Sequence, residues 1–205
     1  MARASSAMQP VARMRGFTVI ELMITVAIAV VLVALAIPSF RATMVSNTVT
    51  QTTNALLHDL NIARSEAVRR GTLVAVISNS GTNNWSSGWY VQADGKFLGN
   101  GSFTAQPVPA TDLDVVLDNN TGVNTAGSYS VWTKVTAAGG AGITPTDGMV
   151  IFNAQGSMIP RASSFVINVC RPDHQPAKSK MLTIATSGMI TTQTDTTSSP
   201  APACS

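Results

Sequence analysis

Cysteine and histidine are scarce in this chain, which has two of each among 205 residues. Structural zinc sites usually take four cysteine or histidine ligands at short spacings, and here these residues lie far apart. The sequence therefore disfavours a site built from cysteine and histidine, and we predict neither a metal nor a cofactor.

Motifs for catalysis are also missing. His58 is followed by Asp59, but neighbours on a helix point to different faces, and an exposed polar face would account for both. The glycine cluster at 139–142 lacks the lysine and the strand-to-helix setting of a phosphate-binding loop. We predict that the protein is not an enzyme.

The formal net charge of +3 gives little support to a nucleic-acid partner. Arg3, Arg13 and Arg15 all precede residue 17, and without them ten basic side chains face ten acidic ones. Positive charges ahead of an apolar segment are typical of the cytoplasmic side of a membrane protein.

The chain does contain one long apolar run, residues 17–40, in which Glu21 is the only charge. A run of about 20 apolar residues can span a bilayer as a helix. No cleavage site of small residues follows the run, as a secretory signal would require. A cut after Gly16 would instead keep the helix and make Phe17 the new N-terminus.

Gly16, Phe17, Thr18 and Glu21, followed by the apolar segment and Pro38, resemble the class III leader junction of type IV pilins and type II secretion pseudopilins. The resemblance implies that a prepilin peptidase cleaves between Gly16 and Phe17 and N-methylates Phe17. It also implies a single-pass protein of the bacterial inner membrane whose globular domain lies in the periplasm.

Glu21 would be the fifth residue of the mature chain. An ionised carboxylate in hydrocarbon is unfavourable unless a partner neutralises it, and intramembrane acids are functional candidates for that reason. The amine created at Phe17 is such a partner, within the chain or between subunits, and the pairing would promote assembly and set the axial register. The alternative is that Glu21 faces headgroups and complements the positive helix N-terminus, which contributes about 0.3–1 kcal/mol.

Helical periodicity continues beyond the apolar run. Mostly apolar side chains recur every three or four residues on one stripe: Val45, Val49, Thr52, Leu56, Leu60, Ala63 and Ala67. We predict one helix over residues 18–70 that ends at Gly71. Pro38 should kink it, because proline removes a backbone donor and crowds the preceding turn.

After Gly71 the pattern changes to short strands, which we predict at 73–78, 89–92, 113–117, 129–135, 149–153, 165–171 and 180–185, with 189–192 a weaker one. The fold class is α+β, with a long N-terminal helix packed on an antiparallel β-sheet domain, as in the pilin fold. The predicted segments are a cleaved leader (1–16), a transmembrane or filament-core helix (17–40), the amphipathic half of the helix (41–71) and a β-rich periplasmic domain (72–205).

Four groups of residues are similar, in their order, to the narrower GspH/FimT family with its FimU-like minor pilins. They are residues 64–67, residues 88–91 with Asp94, residues 150–153 with Gly156, and residues 170–172 before Ser187 and Gly188. The family implies a scarce subunit that helps to initiate or cap a type IV pilus or type II secretion pseudopilus. Its implied partners are the prepilin peptidase, other minor pilins or pseudopilins, the major pilin, the inner-membrane assembly platform and membrane lipid.

The alternative function is that of a DNA-binding minor pilin for natural transformation. The resemblance places the basic contacts of such DNA receptors in a Gly-Arg-x-Arg motif, and here the matching residues 188–191 read Gly-Met-Ile-Thr, without either arginine. Arg171, Lys178 and Lys180 form a basic group that could contact phosphates. A solvated hairpin is the other explanation of that group.

Cys170 and Cys204 would both lie in the periplasm, where disulfides persist. They form the only intrachain pair that the composition allows, so we predict a disulfide that ties the C-terminal tail to a strand. Closing such a loop typically contributes about 3 kcal/mol.

Removal of Cys204 tests this pair. We expect Cys204→Ser to loosen the tail, so that a protease cuts the tail of the purified protein faster, while membrane insertion stays unchanged because the apolar run does not depend on the bond. The measurement is limited proteolysis under oxidising conditions, with the reduced unsubstituted protein as a reference. Equal rates for the oxidised variant and the oxidised unsubstituted protein would contradict the disulfide.

Overall fold

The computed structural model describes residues 16–95, 114–123, 129–136, 148–159, 164–173 and 178–194. The leader residues 1–15, the glycine cluster at 139–142, Leu113 and Cys204 lie outside these ranges, and what the sequence predicts of them stays a prediction. The chain divides into two compact units, Met1–Ala42 and Thr43–Ser205.

A single long helix, α1, covers Val19–Arg70 and confirms the predicted helix to within one residue. The Thr18 hydroxyl accepts the backbone N–H of Glu21 at 3.2 Å and thereby caps the helix N-terminus. At the other end Gly71 has a φ of 68°, a left-handed conformation that glycine adopts without steric penalty. The helix continues through Pro38, and the kink there stays a prediction.

The first part of α1 is exposed at every side chain between residues 19 and 44. Most of these side chains are large and apolar, such as Leu22, Val26 and Leu35. Among the described residues, α1 is the one helix that is long and apolar enough to cross a membrane. The segment therefore presents an apolar surface that is unfavourable in water.

The rest of the described chain forms two antiparallel sheets. The strands are β1 (Val74–Ser78), β2 (Trp89–Ala93), β3 (Val115–Asn120), β4 (Ser130–Thr136), β5 (Met149–Phe152), β6 (Met158–Ile159), β7 (Ser164–Cys170), β8 (Lys180–Ala185) and β9 (Ile190–Thr194). One sheet has the order β3-β2-β1-β5-β6 and the other β4-β7-β8-β9. Each of the eight predicted strands overlaps one of these, whereas the sequence does not predict β6, because two residues are too few to show an alternating pattern.

The stripe of α1 lies in the core. Six of its predicted members are buried, namely Val49, Thr52, Leu56, Leu60, Ala63 and Ala67. The apolar ones form one cluster with side chains of both sheets, including Val76, Trp89 and Phe165. Fully burying a leucine typically contributes about 1.5–3 kcal/mol, so the stripe is the main attachment of α1 to the sheets.

The connection between β1 and β2 joins the two sheets. Trp85 donates its backbone N–H to the Val131 carbonyl at 2.8 Å, and Ser86 Oγ accepts the Val131 N–H at 2.9 Å. The Trp85 ring is fully buried and meets Phe165 edge to face, with ring centroids 6.2 Å apart. The connection therefore fills the core and satisfies backbone groups at the edge of β4.

The last turn of α1 holds a carboxylate against two guanidinium groups. Glu66 accepts hydrogen bonds from Arg69 Nε at 2.9 Å and from Arg70 Nε at 2.7 Å. These bonds lower the pKa of Glu66 from 4.5 to about 2. Because the folded-state pKa is depressed, the ionised carboxylate stabilises the fold above the unfolded pKa, and this contribution is lost as the pH falls from 4.5 to about 2.

Glu66→Gln should lower the free energy of unfolding by about 0.5–1 kcal/mol at pH 7 and by less at pH 2, because ion pairs on a helix surface contribute a few tenths each. Chemical unfolding of the mature chain in detergent micelles, followed by circular dichroism, measures both differences. Ser65→Ala is the control, since it changes an uncharged neighbour and should show no such pH dependence. A Glu66→Gln effect of the same size at both pH values would argue against the pairing.

Candidate functional site

The N-terminal site lies where the backbone first becomes helical. Thr18 and Glu21 have the spacing of a capping box, and the Thr18 hydroxyl accepts the Glu21 N–H as that motif requires. The Thr18 carbonyl accepts the Leu22 N–H at 3.1 Å and starts the helical ladder. The Thr-x-x-Glu spacing is itself a sequence signal for this cap.

Gly16 and Phe17 precede the cap. Both are exposed, Phe17 by 80 %. The helix begins only at Val19, so the peptide bond between Gly16 and Phe17 is not held in the hydrogen-bonded ladder. Exposed backbone outside regular structure is the form in which proteases cut a chain most readily, so the geometry of this bond suits cleavage.

A second set of residues meets within the globular unit. Arg64 donates from Nε to the Gly156 carbonyl at 3.0 Å and from Nη2 to the Ser187 carbonyl at 3.4 Å. These bonds bridge 92 and 123 positions of sequence. Arg64 therefore joins α1 to the turn between β5 and β6 and to the turn between β8 and β9.

The two turns also touch each other. Gly156 and Gly188 have φ values of 73° and 76°. A Cβ atom on Gly188 would lie 1.9 Å from the Gly156 carbonyl oxygen and 3.1 Å from Arg64 Nε. Glycine at position 188 is therefore required by space as well as by backbone conformation, and the distance between the two glycines in sequence gives no sign of this contact.

Asp59 does not lie on the exposed polar face that the sequence predicts for it. Its side chain is 3 % exposed, and Oδ2 accepts a hydrogen bond from Trp89 Nε1 at 2.7 Å. Burial raises the pKa of Asp59, the hydrogen bond from Trp89 lowers it, and the nearby carboxylate of Asp118 raises it again. His58 is exposed, as the sequence predicts. The prediction of an exposed side chain is therefore right for His58 and wrong for Asp59.

The basic group near the C-terminus is only partly accessible. Arg171 is 6 % exposed, and its guanidinium pairs with Asp173 at 3.0 Å. Lys180 is half-buried, and its Nζ contacts Thr194 Oγ1 at 3.4 Å. Of the three basic residues of the DNA hypothesis, Lys178 is the one that is exposed. DNA affinity grows with the number of neutralised phosphates, so this arrangement gives the hypothesis no support.

Cys170 ends β7 and is fully buried. Its predicted partner, Cys204, lies outside the described residues, and their pairing stays a prediction.

An open groove of about 650 Å³ runs beside the contacts of Arg64. His58, Asn61 and Val68 of α1 line one side, and Gln155 of the turn between β5 and β6 lines the other. Sites for small ligands are usually enclosed and bury most of the ligand surface, so a groove that is open and partly polar is poorly suited to a small molecule.

An apolar helix with an exposed N-terminal junction, continued as the amphipathic cover of a two-sheet domain, defines the pilin class of α+β fold. A family model described as type II transport protein GspH matches residues 52–188. The match covers more than half of the chain, and the chain belongs to the GspH family. No curated protein sequence matches it.

Two solved proteins resemble the fold. One crystal form of the type IV minor pilin FimU of Pseudomonas aeruginosa (strain PAO1) has a TM-score of 0.52 and 19 % identity, over 78 % of this chain and 96 % of that one. A second crystal form has a TM-score of 0.49 and 18 % identity, over 76 % and 99 %. The minor pseudopilin EpsH of the Vibrio cholerae type 2 secretion system has a TM-score of 0.42 and 9 % identity, over 72 % and 98 %. At these identities the first FimU form supports a shared fold and nothing further.

Gly188→Ala should destabilise the protein more than Gly71→Ala. Both glycines have φ near 70°, namely 76° and 68°, so the backbone penalty for alanine is about 1–2 kcal/mol at either position. A Cβ on Gly71 would meet nothing within 4 Å, whereas one on Gly188 would overlap the Gly156 carbonyl. Chemical unfolding of both variants measures the difference, and equal losses would mean that the two turns separate freely.

Proposed function

We propose that this protein is a non-enzymatic minor pilin or pseudopilin, held in the bacterial inner membrane, that helps to initiate or cap a type IV pilus or type II secretion pseudopilus. The observation that carries the proposal is the run of exposed apolar side chains between residues 19 and 44. A surface of this kind is stable in lipid or against other apolar helices. Membership in the GspH family supports the same role.

Processing at the junction follows from the same role. A prepilin peptidase cuts the exposed bond between Gly16 and Phe17 and N-methylates the new terminus. The helix stays in the inner membrane, with the β-sheet domain in the periplasm. There the Cys170–Cys204 disulfide ties down the tail.

The backbone and the side chain of Glu21 then have separate roles. Its backbone N–H is capped by Thr18, and its carboxylate attracts the Phe17 amine, which lies about one helical turn earlier in the chain. Among apolar helices the carboxylate is stable only with a cation beside it, and a neighbouring subunit can provide or receive that charge. The charge pair would therefore favour docking at one axial position.

Complementation of a deletion strain tests the role and separates the two contributions of Glu21. Two readouts are measured in the deletion strain: the amount of major pilin in sheared surface fractions and the secretion of type II substrates. The intact gene should restore the readout that the deletion lowers. Glu21→Ala and Glu21→Gln should each fail, because both remove the charge. The bond from the Thr18 hydroxyl reaches the backbone N–H of residue 21 and is kept in both variants, so normal assembly with either variant would show that the charge of Glu21 does not matter.

Thr25→Ala is the matched control. Thr25 lies one turn further along α1 and donates its hydroxyl to the Leu22 carbonyl, a bond that stays within the helix. This variant should assemble normally. Immunoblots of membrane fractions should give equal amounts of cleaved protein for every variant. A deletion that changes neither surface pilin nor secretion would refute the assembly role, and the readout that responds identifies the machine.

A further inference from the structure

Three potential metal ligands meet between α1 and β3. They belong to His58, Asp59 and Asp118, and one imidazole nitrogen and two carboxylate oxygens all lie within 4.8 Å of one another. Asp118 reaches this place because it pairs with Val91 at the edge of the five-stranded sheet. The set contains no cysteine and a single histidine, so the scarcity of those residues does not exclude it.

Asp59 is the fixed member of the set. It is almost fully buried, and Trp89 Nε1 holds its Oδ2 at 2.7 Å. Asp118 is held in a similar way, because its Oδ1 accepts the Asn119 N–H at 2.7 Å. Hydrogen bonds that orient carboxylates in this manner surround most protein metal sites. The second oxygen of each carboxylate is the candidate ligand.

The charges of the cluster call for a cation. Two carboxylates at this distance repel each other, and burial of Asp59 strengthens the repulsion because little water screens it. A divalent ion between the two would convert the repulsion into attraction. It would also attach α1 to β3, the edge strand of its sheet, through bonds that do not depend on the apolar stripe.

We propose that His58, Asp59 and Asp118 bind one divalent transition-metal ion of the Zn²⁺ class. Imidazole and carboxylate together suit zinc better than calcium or magnesium, which take oxygen ligands. Zinc ligands lie at about 2.0–2.2 Å, so the ligand atoms of a tetrahedral site are about 3.4 Å apart. His58 is exposed, so its imidazole has room to move toward the two carboxylates. The fourth position is open to water.

The test uses the mature full-length chain in detergent micelles, purified without a histidine tag and treated with EDTA. Isothermal titration calorimetry with zinc chloride should give one ion per chain with a dissociation constant in the micromolar range or below. Excess zinc should raise the midpoint of thermal unfolding by several degrees, because the ion binds the folded state alone. Calcium chloride at the same concentration should leave the midpoint unchanged, and a shift with calcium but none with zinc would overturn the assignment.

Two variants and one control locate the site. His58→Ala and Asp118→Asn should each weaken zinc binding about tenfold or more. His58→Ala should leave the midpoint of the metal-free protein nearly unchanged, because that side chain is exposed, whereas Asp118→Asn should raise it slightly by relieving the repulsion with Asp59. His174→Ala removes the other histidine and should bind zinc as the unsubstituted chain does. Unweakened binding in both variants, loss of binding in the control, or no uptake by the unsubstituted chain would each overturn the proposal.

Discussion

Burial of one stripe of α1 is the interaction on which the globular unit depends. Leu56 and Leu60 fill the space under the sheets, and the small side chains of Ala63 and Ala67 let the helix approach the strands closely. Consecutive residues on a helix are separated by about 100° of rotation. Residues that flank the stripe, such as Asp59 and Arg64, therefore stand at the edge of the buried surface. They form their polar contacts there.

The same helix meets two different environments, and the change is abrupt. Met44 is 56 % exposed, whereas Val49 is 1 % exposed, less than two turns later. No break in secondary structure marks the boundary, because α1 is continuous from Val19 to Arg70. Side-chain chemistry alone decides which part of the helix covers the sheets and which part leaves its apolar side chains exposed.

Periodicity predicts the elements of this fold well because most of them are long enough to repeat. The 52-residue helix and its stripe, and strands such as β7 and β8, each show their pattern over several residues. The two-residue β6 does not, and the sequence misses it. The prediction that Asp59 is exposed is wrong for another reason. Its hydrogen-bond partner, Trp89, is 30 positions away in the sequence, and no local pattern shows that the two meet. The same holds for the contact between Gly156 and Gly188 and for the hydrogen bonds that Arg64 donates to their two turns. These contacts form only when the sheets bring the turns together.

The cap at Thr18 lies on the C-terminal side of the proposed cleavage site between Gly16 and Phe17. The helix takes its start from the Thr18 hydroxyl, which lies two positions after Gly16. On the proposed cut after Gly16, the capping hydroxyl of Thr18 stays with the mature chain. Exchange of whole leaders between related subunits would therefore leave this cap in place. The leader sequence and the helix sequence can then change independently in evolution.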